Sequence, residues 1–341
     1  MATPIAIERT GLVTSVGLSA PAACAAIRAK LTNPTETRFL DSAGEWLMAH
    51  EVPLDKPWRG LPRLVGMAAM AIDECLSDLP RDDWSRIPLL LCVAEPLRPG
   101  RQAGLDDRLF EEIQRALGVR FAAASSIVPH GRVSMAVAMD AARRLLQSGA
   151  CERVLVAATD SLINWPTLSA YMRSDRLLTE GNSNGFLPGE AGAAVLLRRA
   201  GSDRELHCVG IGFGVESAHI ESDEPLRAQG LTTALSQALS DADRQMHDVD
   251  FRITDLSGEQ YYFKEATLAL SRTLRQRKET FDIWHPAECI GETGAAAGLA
   301  VLAVADAAYR KGYAQGPLVM THLANDAGQR AAVLLHYPGP T

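Results

Sequence analysis

The six cysteines of this 341-residue chain lack the Cys-x-x-Cys spacing of a zinc or redox site. They stand at positions 24, 75, 92, 151, 208 and 289, mostly within apolar runs. This placement is typical of reduced, buried thiols, because disulfides are rare in the cytosol. We therefore expect a cytoplasmic protein without a metal site.

The chain also lacks an excess of positive charge. It has 34 Lys and Arg residues against 41 Asp and Glu residues, a net charge of −7. Nucleic acid and anionic membranes both attract a basic face, so neither is an expected partner. Residues 1–9 carry no secretory signal pattern. The longest apolar run, 295–305, is too short to cross a bilayer, which takes ~20 apolar residues, and predicts a thin helix buried between sheets.

No Gly-rich phosphate loop of the Walker type is present, and no cofactor is expected. The glycines of segment 210–214 (GIGFG) are better interpreted as strand and turn than as a dinucleotide cradle. The composition, 47% hydrophobic and 22% charged, is that of an ordinary globular protein. Its length allows two domains or one large duplicated domain.

Short apolar runs alternate with longer segments of helical period. The runs at 89–94, 154–158, 193–197 and 331–335 have the length of strands. Segment 131–147 repeats an apolar residue every four positions and ends before Gly149, which predicts a helix. Because the strand runs are continuously apolar, both faces of the sheet should be covered, and the fold class should be α/β.

Four segments in chain order carry a family resemblance. They are IAIERTGLVTSVG at 5–17, GACERVLVAATDS at 149–161, GFLPGEAGAAVLL at 185–197 and IGETGAAAG at 290–298. Together they resemble the β-ketoacyl synthases of the thiolase-like superfamily. The resemblance implies a duplicated α-β-α-β-α architecture of five layers. We expect halves at 1–200 and 201–341 that share one core.

The same resemblance assigns positions to the catalytic residues, and other residues occupy them. Counting back from Ser148 places Arg132 where the family keeps its nucleophilic Cys. Ser257 and Glu292 stand in place of the two histidines, and Ala287 in place of the lysine. An ionised Glu292 within ~4 Å of a developing enolate would oppose it by about 4 kcal/mol at a dielectric near 20. Segment 323–328 also departs from the family's loop that backs the oxyanion hole. Loss of one hydrogen-bond donor from an oxyanion hole typically costs ~2.7–4 kcal/mol of transition-state stabilisation.

Two fallback nucleophiles remain from the sequence. Ser134 is the nearest hydroxyl and has His130 as a neighbouring base, although a Ser there also suits a helix cap. Cys289 is the second, and with His130, His285 and Glu292 it would form a thiol hydrolase if the fold brought them together. Glu292 is equally interpreted as a charge at a helix N-terminus.

Three hypotheses for function follow. The first is a catalytically inactive binding or adaptor component, which resembles stand-alone thiolase-like proteins of type VI secretion effector-loading gene clusters. The second is a chain-length-factor-like partner of an active ketosynthase. The third is an acyl-thioester enzyme with non-standard catalytic residues.

A protein partner is expected under the first two hypotheses. The candidate surfaces are the aromatic residues Tyr261, Tyr262 and Phe263 and the loop from Pro96 to Arg101, with Arg98 and Arg101 as anchors. The family resemblance further implies a homodimer through a strand near 122–127, because an apolar edge strand must be paired or covered.

Overall fold

The structure, a computed structural model, describes residues 3–202 and 204–339. The predicted halves also include residues 1, 2, 203, 340 and 341, which lie outside this part of the chain. The first half contains these strands: β1 Ile5–Val13, β2 Thr35–Leu40, β3 Trp46–Ala49, β4 Leu89–Cys92, β5 Ser126–Val128, β6 Arg153–Ser161 and β7 Glu190–Arg199. Its helices are α1 Ala20–Arg28, α2 Leu61–Leu76, α3 Arg108–Leu117, α4 Ser134–Gln147 and α5 Trp165–Arg173.

The second half repeats the alternation of strand and helix. Its strands are β8 Leu206–Val215, β9 Phe251–Thr254, β10 Ile283–Trp284, β11 Leu318–Ala324 and β12 Gln329–His336. Its helices are α6 Gln229–Asp241, α7 Gln260–Thr273, α8 Ala287–Ile290 and α9 Ala297–Arg310. No helix among the described residues is long and apolar enough to cross a membrane.

The strand order shows the duplication that the sequence alone does not. Outward from the middle, the first half runs β1-β7-β6-β4-β5 and the second runs β8-β12-β11-β9-β10. In each half the first two neighbour pairs are antiparallel and the last two are parallel. The halves join where Ile5–Ile7 of β1 pair with Leu206–Cys208 of β8. The fold is therefore built from one unit used twice.

Five layers result from this arrangement. Helices α4 and α9 lie in the middle, where their apolar side chains pack against strands of both halves. Helices α2 and α3 cover the outer face of the first half, and α6 and α7 cover that of the second. The predicted α/β class and five-layer thiolase-like architecture are confirmed. All four predicted strands and the helix over 131–147 are present within a few residues of their expected bounds.

Both central helices begin in the same way. Gly131 and Gly294 each have a φ of 56°, and each starts a three-residue 3₁₀ turn that leads into a 14-residue helix. A Cβ on Gly131 would lie 2.0 Å from Glu95 Oε2, and one on Gly294 would lie 2.2 Å from Asp160 Oδ2. Only glycine fits at these two elbows. The two helix starts meet at the candidate site.

Candidate functional site

Arg132 lies at the elbow before α4, the place predicted for a nucleophile, and is only 8% exposed. Its backbone N–H donates to Asn325 Oδ1 at 2.9 Å. Its guanidinium donates to Glu292 Oε2 at 3.1 Å, to Tyr262 Oη at 2.9 Å and to Asp326 Oδ1 at 2.5 Å. The expected thiol position therefore holds a cation that is fixed by four other residues.

Asp326 is the centre of the surrounding network. Besides Arg132, it accepts from Arg176 Nη1 at 2.8 Å and Nη2 at 3.0 Å. The hydroxyls of Tyr262 and Tyr171 donate to it at 2.5 and 3.1 Å. Burial alone would raise the pKa of Asp326, but Arg132 and Arg176 outweigh it and hold that pKa below its usual range. Asp326 is thus ionised and locked between two cations.

Two further ion pairs extend the network. Arg176 Nε and Nη2 donate to the two oxygens of Glu259 at 2.7 and 2.9 Å. Arg98 binds Asp160 with the same two-bond geometry, at 2.5 and 2.8 Å. Such bidentate pairs fix orientation as well as charge. All four side chains are buried, so the site is closed by charge pairs from both halves of the chain.

Glu292 lies against Arg132 and at the second elbow, where Gly294 N–H donates to its Oε1 at 2.9 Å. Burial raises the pKa of Glu292 to about 7, although Arg132 pulls it in the opposite direction. Ser257 points its hydroxyl toward this carboxylate without reaching a well-formed hydrogen bond. The residues matching the two family histidines are therefore brought together, yet neither supplies a strong donor for an oxyanion.

The space left at the site is very small. The cavity bounded by Glu95, Arg132, Phe186, Glu292 and Asp326, among others, has a volume of about 20 Å³. A cavity of this size has room for about one water molecule. An acyl chain or a pantetheine arm does not fit without displacing the ion pairs.

The Ser134 hydroxyl forms its hydrogen bonds with backbone groups. It is fully buried, its Oγ donates to Val128 O at 3.0 Å, and it accepts from His130 N at 3.0 Å. The His130 side chain is exposed, and it is only its backbone that reaches Ser134. Ser134 is the first residue of α4 and its hydroxyl bonds to no N–H of that helix, so it is not a helix cap; it packs in the first turn and ties it to the preceding loop and strand.

Cys289 lies apart from the Arg132 network. It lines a separate cavity of about 230 Å³ together with His285 and Glu288. His285 Nδ1 lies 2.6 Å from Glu288 Oε1, and burial raises the pKa of the Cys289 thiol, which disfavours a thiolate. Cys289 and His285 share this cavity, whereas Glu292 belongs to the Arg132 network and the His130 side chain is exposed, so the four residues do not form one cluster. Ala287 lies half-buried on α8 beside this second cavity.

Both candidate partner surfaces need correction. Tyr262 is 4% exposed and Arg98 is 7% exposed, so neither is available to a partner. Tyr261 is half-buried and donates to Ala218 O at 2.6 Å, and Phe263 packs on His285 with ring centroids 5.6 Å apart. These side chains serve the core and the ion-pair network, where their polar tips find partners.

The loop at 96–101 keeps an exposed tip. Arg101 is held by Asp106 at 2.5 and 2.8 Å and donates to Ala94 O at 3.0 Å. Leu97 is 86% exposed. The anchors predicted in this loop are therefore turned inward, and its apolar tip is what faces solvent.

The strand predicted near 122–127 lies at the edge of the sheet. Residues 122–125 form a turn, and β5 begins at Ser126 as the last strand of the first half. Its outer edge carries backbone groups that another strand would pair.

Several members of the network were missed by sequence reasoning. Arg176 and Glu259 carry no local signal of their own, and Tyr171 lies inside an ordinary helix pattern. Asp160 lies within segment 149–161, whose resemblance assigned it no role. Asp326 could have been predicted as a site residue, because it lies in segment 323–328, which corresponds to the family's oxyanion loop. Within the described residues, no group of three or more His, Cys, Asp or Glu side chains is arranged to hold a metal ion.

Comparisons with known proteins agree with this architecture. Residues 133–202 match the family model of the β-ketoacyl synthase N-terminal domain. The ishigamide ketosynthase/chain length factor is 17% identical, with a TM-score of 0.82 over 99% of this chain and 100% of that one. The complex of a ketosynthase with its chain length factor from Xenorhabdus doucetiae gives 14% identity and a TM-score of 0.75 over 98% of each chain.

The chain has the thiolase-like fold of the ketosynthases. A third structural relative is the oxazolomycin ketosynthase domain from Streptomyces albus. It is 15% identical, with a TM-score of 0.79 over 99% of this chain and 75% of that chain. A search of curated protein sequences finds no match. At these identities the likeness shows the fold, and the activity has to be argued from the site.

Proposed function

We propose that this thiolase-like protein does not condense acyl groups and acts as a binding component that holds another protein. The observation that supports this most is the network around Arg132. Burial alone would lower the pKa of this arginine, but Tyr262, Glu292 and Asp326 raise it well above its usual range. Arg132 is therefore neither a nucleophile nor a proton acceptor. A cavity of about 20 Å³ beside it leaves no place for an acyl substrate.

The network has a structural role in this proposal. Arg132 and Arg176 of the first half bind Glu259, Glu292 and Asp326 of the second. The two halves are thus connected by charge pairs where an enzyme would keep open space for its substrate. Shape remains as the basis for function.

A partner of the type VI secretion effector-loading machinery is the first class that we propose, on the basis of the sequence resemblance. The alternative is a chain-length-factor-like subunit paired with an active ketosynthase. It is supported by structural likeness to complexes of a ketosynthase with its chain length factor and by the open edge of β5.

Recovery of the tagged protein from its native cells, followed by mass spectrometry and reconstitution with the purified partner, separates these cases. A secretion effector or adaptor that forms a stoichiometric complex supports the first class. A ketosynthase that gains activity on complex formation supports the second. Acyl transfer by the isolated protein contradicts the proposal in both forms.

A further inference from the structure

The solvent-facing side of α2 is apolar. Between Arg63 and Asp73 this helix has no charged residue. Met70 is 37% exposed, and Val65 and Ala69 are half-buried. A surface helix normally carries charged side chains on its outward face, whereas a helix that is apolar all round is normally buried. The outward face of α2 therefore has the composition of a packing surface.

This face forms one wall of a groove, and α3 forms the other. The groove has a volume of about 660 Å³. Each wall presents residues at a spacing of four along its helix: Leu61, Val65 and Ala69 on α2, and Arg108, Glu112 and Ala116 on α3. Such rows are the ridges between which a third helix packs. The α2 row spans ~12 Å at 1.5 Å per residue, which suits about two turns of a bound helix.

The middle of the groove is shaped by small residues. Gly66 has no side chain, and the space that its Cβ would take is filled by the Trp58 ring at 2.7 Å. Ala69 and Ala116 keep the floor low on either side. Trp58, which is 39% exposed, therefore packs onto Gly66 and lines the groove, while the two alanines leave room above the floor for side chains of a partner.

The rim of the groove has unpaired positive charge. Lys56 and Arg108 form no ion pair among the residues that the structure describes. Of the two acids at this rim, Glu112 is paired with Arg115 at 2.5 Å, and Asp55 forms no ion pair in the described part of the chain, so two unpaired cations face one unpaired acid. A complementary partner therefore carries acidic side chains beside its apolar face.

We propose that the groove between α2 and α3 binds an amphipathic helix of a partner protein, with the apolar side on α2 and an acidic flank toward Lys56 and Arg108. This inference rests on the proposed function, since it names the kind of partner segment that a protein-binding component takes. The groove shares no lining residue with the Arg132 cavity. Changes in one site can be made without touching the other.

Fluorescein-labelled, lactam-stapled helices of about 14 residues are suitable probes, since short peptides need a staple to stay helical. One probe has leucines at i, i+3, i+4 and i+7 with glutamates on the flanks. A second carries lysines in place of the glutamates, and a third has the first composition scrambled. Fluorescence anisotropy measures each Kd with the wild-type chain, Met70→Glu, the pair Lys56→Glu with Arg108→Glu, and the control Leu97→Glu.

The expected result is saturable binding of the glutamate probe and weaker binding of the other two. Met70→Glu should weaken it by roughly tenfold or more, because it places a charge on the apolar floor. The Lys56→Glu, Arg108→Glu pair should reverse the preference between the first two probes, and Leu97→Glu should change nothing. Thermal melting confirms that the variants fold, which is expected because Met70, Lys56 and Arg108 are exposed.

Equal binding of the scrambled probe, or wild-type binding by Met70→Glu, overturns the groove proposal. The native partner distinguishes this failure from failure of the proposed function. If Met70→Glu still forms the complex recovered from cells, the protein is a binding component that uses another surface. If the chain instead transfers acyl groups, the proposed function itself is wrong.

Discussion

Arg132 and Glu292 form a buried ion pair in which each residue compensates the charge of the other. A lone Glu292 would oppose the anion of a condensing reaction, and a lone Arg132 would be a buried charge without compensation. In the structure they lie 3.1 Å apart, and Asp326 shares the cation. The interpretation of Glu292 as a simple helix charge is therefore incomplete, because the same carboxylate also closes an ion pair between the two halves.

Replacement of Glu292 by His should lower the free energy of unfolding by about 3–5 kcal/mol, the usual cost of breaking a buried ion pair from one side. The imidazole offers no negative charge to Arg132. Urea unfolding at pH 8.5, where the Glu292 carboxylate is ionised, measures the effect. A change below about 1 kcal/mol would mean that Glu292 acts only as a charge at the helix start.

Glu292 should also give the protein a distinctive pH dependence. Its folded-state pKa of about 7 exceeds the ordinary 4.5, so the folded chain holds this proton more tightly than the unfolded chain. The resulting stability is fully present below pH 4.5 and is lost as the pH rises through 7. Glu292→Gln lacks this titration, so its free energy of unfolding minus that of wild type should rise by up to about 3 kcal/mol as the pH rises from 5 to 8.

Comparison of the two proteins at each pH isolates Glu292 from Asp255, whose pKa burial raises to about 6 in the same region. Unfolding curves at pH 5, 6, 7 and 8 provide the test. A constant difference between wild type and Glu292→Gln across this range would contradict the assignment.

At the scale of elements, α7 carries the clearest lesson about sequence prediction. Three consecutive aromatic residues looked like an interaction surface, but α7 turns Tyr262 into the core and leaves Tyr261 and Phe263 half-buried. The sequence marks these positions as special without indicating which face they occupy. The direction of Tyr262 depends on Asp326 and Arg132, which come from distant segments and which no local pattern reveals.

Strands and central helices were predictable for the opposite reason. The continuous apolar runs of β4, β6, β7 and β12 and the four-residue period of α4 are local signals, and burial on both faces requires them. Arg176 and Glu259 lie 83 positions apart, and each is an ordinary charged residue in its own segment. Ion pairs between such distant segments are created by the fold, so they cannot be predicted from local sequence patterns.

Tyr262→Phe should cost about 1.5–3 kcal/mol, since the lost hydroxyl bonds to the charged groups of Arg132 and Asp326. Tyr309→Phe is the matched control, because its hydroxyl donates to the backbone oxygen of Gly316 at 2.9 Å and the side chain is similarly buried. Thermal or urea unfolding compares the two. Equal losses would show that the network adds nothing to an ordinary hydrogen bond.

The edge strand β5 makes a prediction about assembly. If β5 pairs with another chain, lysines on it should disrupt the complex, since charged side chains block edge-to-edge pairing. Ser126→Lys is expected to convert a homodimer to a monomer in light scattering, while Ser271→Lys at an exposed position of α7 leaves the mass unchanged. A wild-type monomer at micromolar concentration would contradict the homodimer and favour a different partner chain.

At the scale of the whole molecule, the duplicated fold is retained while the junction of its halves is filled. Two glycine elbows still meet, and two central helices still start there, but the space between them holds Arg132, Arg176 and their carboxylates. Buried ion pairs of this extent cost desolvation, and removal of one partner leaves an uncompensated buried charge. The molecule as a whole has a thiolase-like fold in which buried ion pairs fill the junction of the two halves.

Intact-mass spectrometry after incubation with a panel of acyl thioesters tests this account most directly. The protein should keep its unmodified mass with every thioester, because Arg132 cannot attack, Ser134 is committed to the backbone and Cys289 is a buried, protonated thiol. The Arg132→Cys variant should also remain unmodified, because the carboxylates of Glu292 and Asp326, which contact residue 132, would oppose formation of a thiolate there. A stable acyl adduct on Ser134 or Cys289 of the wild-type chain would contradict the account.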